Sequence, residues 1–153
     1  MDFECLSKAR TYLICDEDVL IKEGNILLLG YISLALKVLH VPDGFSIRKR
    51  KELDGYRGKI RDELITDIPC YLIGQLARND GITHDQLTGR DLIDEAHRII
   101  MESVQSVGGR FMMIECHNEE KLLKFYRANG FSEIADEPDG DLPMIQMLCK
   151  IVD

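Results

Sequence analysis

Hydrophobic positions divide the chain into a strand-rich first half and a second half in which helices alternate with strands. The first half holds a short branched and aromatic run at residues 11–15 and a long apolar run at residues 25–41. A third apolar run covers residues 67–80, and Pro69 stands near its start, where a missing N–H costs little. The three runs predict β-strands, with an acidic turn, DEDVLIKEGN, between the first two.

Two helical patterns follow. After Gly89 an apolar stripe recurs at 3.6-residue spacing and ends at Gly108–Gly109. The second helix is predicted to begin at Asn118, whose side chain suits an N-cap, and to end at Gly130. The stripe of the first helix comprises Leu92, Ile93, Ala96, Ile99, Ile100 and Val104. Further strands are predicted at residues 110–116, 131–135 and 142–151. This order predicts one α+β domain over residues 1–153, with a mixed sheet and helices on its faces.

The apolar run at residues 25–41 is nearly long enough to cross a bilayer. It contains Lys37 and His40, whereas a membrane helix needs about 20 predominantly apolar residues. A buried central strand also has a continuous apolar sequence. We therefore expect a strand here and no membrane association.

Composition narrows the class of function. The 153 residues include 27 acidic and 19 basic ones, and the net charge of −8 argues against a general nucleic-acid binder. Five cysteines without a C-x-x-C pair, together with the absence of a signal peptide, favour reduced thiols in the cytoplasm. We expect no metal site, because zinc-ligand spacings are absent and adjacent Cys116 and His117 would point to opposite faces of a strand.

One segment departs from the acidic balance. Residues 48–61 carry seven Lys or Arg side chains. Such a run is usually a solvated face, and it would alternatively form a local surface for a polyanion. Both interpretations remain open at this point.

Three landmarks together resemble the GNAT superfamily of acyl-CoA-dependent N-acyltransferases. A strand ends in LAR at residues 76–78, a loop enters a helix at Gly89, and FYRANGF occupies residues 125–131. The resemblance covers residues 11–151 and is greatest to the bacterial toxin-like or stand-alone branch. It implies a mostly antiparallel central sheet flanked by helices, with acetyl-CoA as the acyl donor. Only MDFECLSK precedes the first matching strand, so we expect a shortened N-terminal portion, or a second subunit that completes the site as in a homodimer.

The resemblance also implies a donor site. Backbone groups of Leu76, Ala77 and Arg78 would bond the pantetheine arm. The loop before the first helix would cradle the diphosphate through backbone N–H groups at the helix start. Its residues are Gln86, Leu87, Thr88, Gly89 and Arg90.

The single glycine allows two registers for this loop. In one, Gln86 is the first residue and Gly89 the fourth. In the other, His84 is first, Leu87 replaces the inner glycine, and Gly89 is the last small residue. We favour the second, because it places Leu92 and Ile93 in the core, whereas the first would bury Asp94 and Glu95. An ordinary turn before a helix also explains a lone glycine.

Catalytic roles follow from the same resemblance. Tyr126 matches the tyrosine that protonates the departing CoA thiolate, and a phenol has a pKa suited to that transfer. A half-buried packing tyrosine beside Phe125 is the alternative. Phe125 and Asn118 are expected next to the cofactor. Glu115, Glu63 or a water chain are the candidates for the general base.

The function implied is an N-acetyltransferase that moves an acetyl group from acetyl-CoA to a primary amine by direct attack. The acceptor is a small amine, a protein amine or the amino group of a charged tRNA; the basic segment 48–61 favours the tRNA and the net charge opposes it. The alternative function is a non-catalytic module of this fold that binds a partner protein or holds CoA without turnover. The lone glycine and the short N-terminus favour that alternative.

Overall fold

The structure is a computed structural model that describes residues 6–55, 65–137 and 144–151. Six strands and four helices lie within those ranges. The strands are β1 (Ala9–Cys15), β2 (Leu28–His40), β3 (Asp67–Arg78), β4 (Phe111–His117), β5 (Ser132–Glu137) and β6 (Met144–Lys150). The helices are α1 (Glu17–Glu23), α2 (Ile47–Asp54), α3 (Gly89–Val107) and α4 (Glu120–Ala128).

All six strands form one sheet in the order β1-β2-β3-β4-β6-β5. β3 and β4 pair in parallel, and every other neighbouring pair in the described chain is antiparallel. The connection between the parallel strands runs through α3, since parallel neighbours need a crossover. The predicted mixed, mostly antiparallel sheet is confirmed.

Each face of the sheet has its own core. On the first face, α3 buries Leu92, Ile93 and Ala96 against β2, β3 and β4, and α4 adds Leu123 to the same cluster. On the second face, Leu53 of α2 closes a smaller cluster over one end of the sheet. Both long helices therefore lie on the first face, where any site formed by α3 and α4 must also lie.

The long apolar run forms strand β2, as its composition predicted. Within the described ranges, no helix combines the length and the apolar character that a membrane crossing requires.

The predicted acidic turn after β1 is wrong, because part of it forms helix α1. The Asp16 side chain accepts a hydrogen bond of 3.1 Å from the Val19 amide, and Gly24 ends the helix in the left-handed conformation, with φ of 67°. None of the residues of α1 is buried. A helix without a buried face leaves no apolar periodicity in the sequence, which is why the pattern missed it.

The prediction that Asn118 caps the second helix is also wrong. Glu119 holds the N-cap position of α4, and its side chain makes no capping hydrogen bond. β4 continues to His117, and the Glu119 amide donates to the His117 carbonyl at 2.7 Å. This tight turn starts α4 too late for Asn118 to cap it, and Asn118 is exposed.

The basic segment 48–61 is only partly described, since residues 56–64 lie outside the described ranges, and Glu63 with them. Within α2, Arg50 is buried and donates to three backbone carbonyl oxygens, those of Pro42 at 2.8 Å, Ile65 at 2.7 Å and Phe45 at 3.3 Å. Arg50 therefore joins α2 to two neighbouring segments and does not face a polyanion.

Candidate functional site

The parallel strands β3 and β4 part after a short stretch of pairing. Their register contains three pairs, which end at Ile73 and Ile114. At the same level β3 shifts register against β2, because Gly74 is an extra residue between Ile73 and Gln75. A β-bulge of this kind bends its strand away from a neighbour.

The strand positions predicted to bond the pantetheine arm lie beyond this point. Leu76, Ala77 and Arg78 pair with β2 on one side, and no described strand pairs with them on the β4 side. Backbone groups on that edge are free to bond an inserted chain, as at any strand edge. The structure thus leaves these backbone groups available for the predicted role.

The loop before α3 is closed by its own side chains. The Asp91 carboxylate accepts hydrogen bonds from the Thr88 amide and the Thr88 hydroxyl, each at 2.7 Å, and the Asp91 amide donates back to the Thr88 hydroxyl at 3.1 Å. This capping box occupies the Thr88 amide, which was expected to hold a diphosphate, and the neighbouring Asp91 amide. The Gly89 and Arg90 amides make no hydrogen bond to any described residue.

The capping box also affects the charge at the helix start. The Thr88 hydroxyl, and then the Thr88 amide, hold the pKa of Asp91 below its ordinary value. Asp91 is therefore ionised at neutral pH and places a negative charge at the positive end of the α3 dipole. A diphosphate bound there would compete with this carboxylate.

Gly89 is explained by packing. A Cβ atom added to Gly89 would lie 2.9 Å from Cζ and 3.0 Å from Cε2 of the Phe125 ring. The start of α3 and the Phe125 ring of α4 are therefore in direct contact, and a side chain at position 89 would fit only if the Phe125 ring shifted.

The inner loop position is filled. Leu87 is 6% exposed, and a Cβ on Gly30 of β2 would lie 2.8 Å from its Cδ2 atom. The Leu87 carbonyl accepts a hydrogen bond of 3.2 Å from Arg78, which ties the loop to the end of β3. The Gln86 side chain accepts from the Thr83 amide at 2.9 Å and so belongs to the same loop.

The burial pattern at the start of α3 matches the register that we favoured. Leu92 and Ile93 are both 4% exposed, and Asp94 is exposed. Arg90 is also exposed and forms a solvent-facing ion pair of 3.5 Å with Asp94.

Tyr126 lies in the first-face core beside the parted strands. Its ring makes edge contacts with Phe125 and Phe131, with centroid distances of 5.0 Å and 5.9 Å. Burial, and then any negative charge on Cys116 of β4, raise the pKa of Tyr126 above its ordinary value. The raised pKa keeps its hydroxyl protonated at neutral pH, and this hydroxyl makes no hydrogen bond to any described residue.

Glu115 is the first residue of β4 beyond the last pair with β3. It shares the second face with Met113, so it lies on the opposite side of the sheet from Tyr126. Lys37 of β2 forms an ion pair with it, and the buried Gln146 donates a hydrogen bond of 3.0 Å. These two partners were not predicted from the sequence, although the position of Lys37 inside an apolar strand was a signal for it.

Asn118 lies away from the loop of α3. It lines a separate cleft of about 480 Å³ beside the exposed Arg127 and Glu133, which form an ion pair. The structure therefore brings Gly89, Phe125 and Tyr126 together and leaves Asn118 outside. In the described ranges, no three His, Cys, Asp or Glu side chains are grouped so that they could hold a metal ion.

No protein-family model matches the chain, and no characterised protein matches it by sequence. Its fold does match solved structures. One is the AtaT toxin, as a tyrosine-to-phenylalanine mutant bound to the C-terminus of the antitoxin AtaR and acetyl-CoA. It has a TM-score of 0.64 and 17% identity over 97% of this chain and 72% of the toxin chain.

Two further structures show the same likeness. AtaT complexed with acetyl-methionyl-tRNAfMet has a TM-score of 0.63 and 20% identity, over 94% of this chain and 73% of that one. A tyrosine-to-phenylalanine mutant of KacT has a TM-score of 0.63 and 18% identity, over 97% of this chain and 75% of that one. The six-stranded mixed sheet, its parted parallel strands and these matches confirm the expectation that the chain has a GNAT-like fold.

Proposed function

We propose that this protein is an acetyl-CoA-dependent N-acetyltransferase acting on a primary amine. The parting of β3 and β4 after three pairs carries the proposal. It leaves a strand edge for the pantetheine arm in a fold whose solved examples include toxins bound to acetyl-CoA. The chain contributes the β3 backbone at residues 76–78 and the Gly89 and Arg90 amides to donor binding.

The proposed reaction is a direct transfer. The amine nitrogen attacks the thioester carbonyl, a C–N bond forms, and the C–S bond to CoA breaks. The Tyr126 hydroxyl gives its proton to the departing thiolate, and the amine loses one proton to a base. Burial of Tyr126 supports its role as acid, because its raised pKa keeps the hydroxyl protonated. Glu115 stands at the parting of the strands, but it lies across the sheet from Tyr126 and pairs with Lys37, so we propose no single residue as the base.

The amino group of a charged tRNA is the acceptor class that we propose. AtaT has been solved with an acetylated methionyl-tRNA, and that complex supports this choice. The basic segment 48–61 offers less charge for tRNA binding than its composition implied, since Arg50 is buried and Lys49 pairs with Glu52 at 3.8 Å. By the same likeness, a protein of the antitoxin type is the partner that we propose.

Acetyl-CoA binding is tested by thermal unfolding and turnover by CoA release in the presence of charged tRNAs and small amines. A ligand that binds the native state raises the melting temperature. Tyr126→Phe is expected to lower kcat by about 100-fold or more while the acetyl-CoA affinity stays unchanged. Tyr12→Phe, at the far edge of the sheet, is the control and should keep wild-type turnover. Equal losses of turnover and affinity would remove Tyr126 from the chemistry.

A second function, a non-catalytic module of the same fold, is favoured by the closed loop. The Asp91 carboxylate holds two Thr88 donors, and Leu87 fills the inner position. A melting-temperature increase with acetyl-CoA, without CoA release for any acceptor, would support this module over the enzyme. The absence of any increase would refute donor binding altogether.

A further inference from the structure

The first face of the sheet is open at its β1 end. One helix covers about two strands, because helices pack 8–10 Å apart and strands about 4.8 Å apart. α3 packs on β2 and β3, and α4 packs on β4. β1 is the outermost strand, and no described helix lies over it on this face.

A groove occupies this open position. Its volume is about 1080 Å³; α3 lines one side through Ser103 and Val107, β1 lines the other, and β2 and β3 lie between them. Pockets for small ligands usually measure about 300–1,000 Å³, so this groove is at least as large as a site for a drug-sized ligand.

The groove surface is apolar where it is most exposed. Leu36 of β2 is 76% exposed and Val107 of α3 is 79% exposed. Tyr12 pairs with the fully buried Ile32, so it points to the same face as α3, and it is 38% exposed. Clustered apolar side chains on one surface indicate a site for an apolar partner surface.

The charge of the groove is opposite to that of the molecule. The whole chain has a net charge of −8, yet among the residues that the structure describes no Asp or Glu lines the groove. Lys8, just before β1, and Arg10 of β1 line it, are exposed, and form no ion pair or hydrogen bond with any described residue. An occupant with acidic side chains would match these two cations.

We propose that this groove binds an amphipathic α-helix of a partner protein, with the apolar stripe of that helix on Leu36 and Val107 and its acidic side chains against Lys8 and Arg10. Such a helix would complete the helical layer beside α3, as the layered architecture requires. The groove lies at the end of α3 opposite to Gly89, and its floor reaches Gly74 and Gln75 beside the proposed pantetheine edge. The peptide-binding test below needs no acetyl-CoA, so its outcome is separate from that of the proposed function.

The probe is a fluorescein-labelled helical peptide with Leu at i, i+3, i+4 and i+7 and Glu at the other positions, followed by fluorescence anisotropy. We expect saturable binding to the wild-type chain and about tenfold weaker binding to Leu36→Asp and to the double variant Lys8→Glu/Arg10→Glu. Ile26→Asp, at a side chain 74% exposed and outside the groove, and Lys121→Glu on α4 are matched controls that should bind as the wild type does.

Three results would overturn the proposal. One is the absence of binding to the wild-type chain, and another is equal binding to Leu36→Asp. The third is equal binding of a peptide with Lys in place of Glu. Light scattering after size exclusion adds a further test: a wild-type dimer that Leu36→Asp converts to a monomer would make a second copy of this chain the occupant, against the proposal. Circular dichroism of each variant checks that it is folded.

Discussion

Gly89 illustrates how one residue fits two explanations that only side-chain contacts separate. In the sequence it was the single small residue of a candidate diphosphate loop. In the structure the Phe125 ring lies 2.9 Å from where its Cβ would be. The same contact places Phe125, and with it Tyr126, at the start of α3. The glycine is therefore informative about the site, although for a reason that the motif did not contain.

Gly89→Ala is expected to destabilise the protein by about 1–2 kcal/mol, because the added methyl overpacks the contact with Phe125. The measurement is urea unfolding followed by circular dichroism. Gly44→Ala is the control, since a Cβ at Gly44 has no atom within 4 Å and should leave stability unchanged. Adding Phe125→Leu to Gly89→Ala should recover part of the loss, and a full loss in the double variant would contradict the packing explanation.

Arg50→Ala is expected to lower the free energy of unfolding by about 3 kcal/mol, because three backbone carbonyls lose their charged hydrogen-bond donor. Arg48 is exposed on the same helix, and Arg48→Ala provides the control. Urea unfolding measures both variants. Equal stability of the two would show that Arg50 belongs to a surface charge run after all.

At the scale of elements, the N-terminus of α3 combines a favourable and an unfavourable feature for an anion. The Gly89 and Arg90 amides are unoccupied by described residues, while Asp91 holds the Thr88 donors. The stabilisation from the Asp91 carboxylate is present above the ordinary carboxyl pKa, about 3.9, and is lost as pH falls through its lower folded pKa. The repulsion between the Asp91 carboxylate and a bound phosphate is therefore the same throughout the neutral pH range.

Asp91→Asn is expected to tighten acetyl-CoA binding several-fold, by about 1 kcal/mol, since it removes a negative charge from the helix start. Asp94→Asn, one turn along the exposed surface of α3, is the matched control and should change the affinity much less. Isothermal titration calorimetry measures both. Unchanged affinity in Asp91→Asn, with binding intact, would place the diphosphate away from this loop.

Elements with a buried face could be predicted from the sequence, and those without one could not. The α3 stripe and the β2 run appeared as patterns because core packing selects apolar residues at regular spacing. α1 buries none of its residues and left only capping signals at Asp16 and Gly24. The N-cap of α4 was predicted at Asn118 and lies at Glu119, because its position depends on where β4 ends and on the turn that follows.

At the scale of the whole molecule, the fold was predictable and the site only in part. Order and periodicity of the elements implied the mixed sheet. Contacts across the sheet could not be inferred, because they join distant residues: Lys37 and Gln146 meet at Glu115 from two other strands. The cationic groove is a similar case, since Lys8 and Arg10 are too few to alter a net charge of −8.

The short pairing between β3 and β4 also has a consequence for biosynthesis. The first three strands pair with one another through hairpin-like contacts, and the remaining strands form a second antiparallel group. Ile32 and Ile73 of the first group are covered by α3, which follows them in the chain and is therefore synthesised later. A nascent chain that has emerged only as far as Arg78 therefore displays an uncovered apolar sheet, and slowing translation beyond that codon should increase its demand for chaperones.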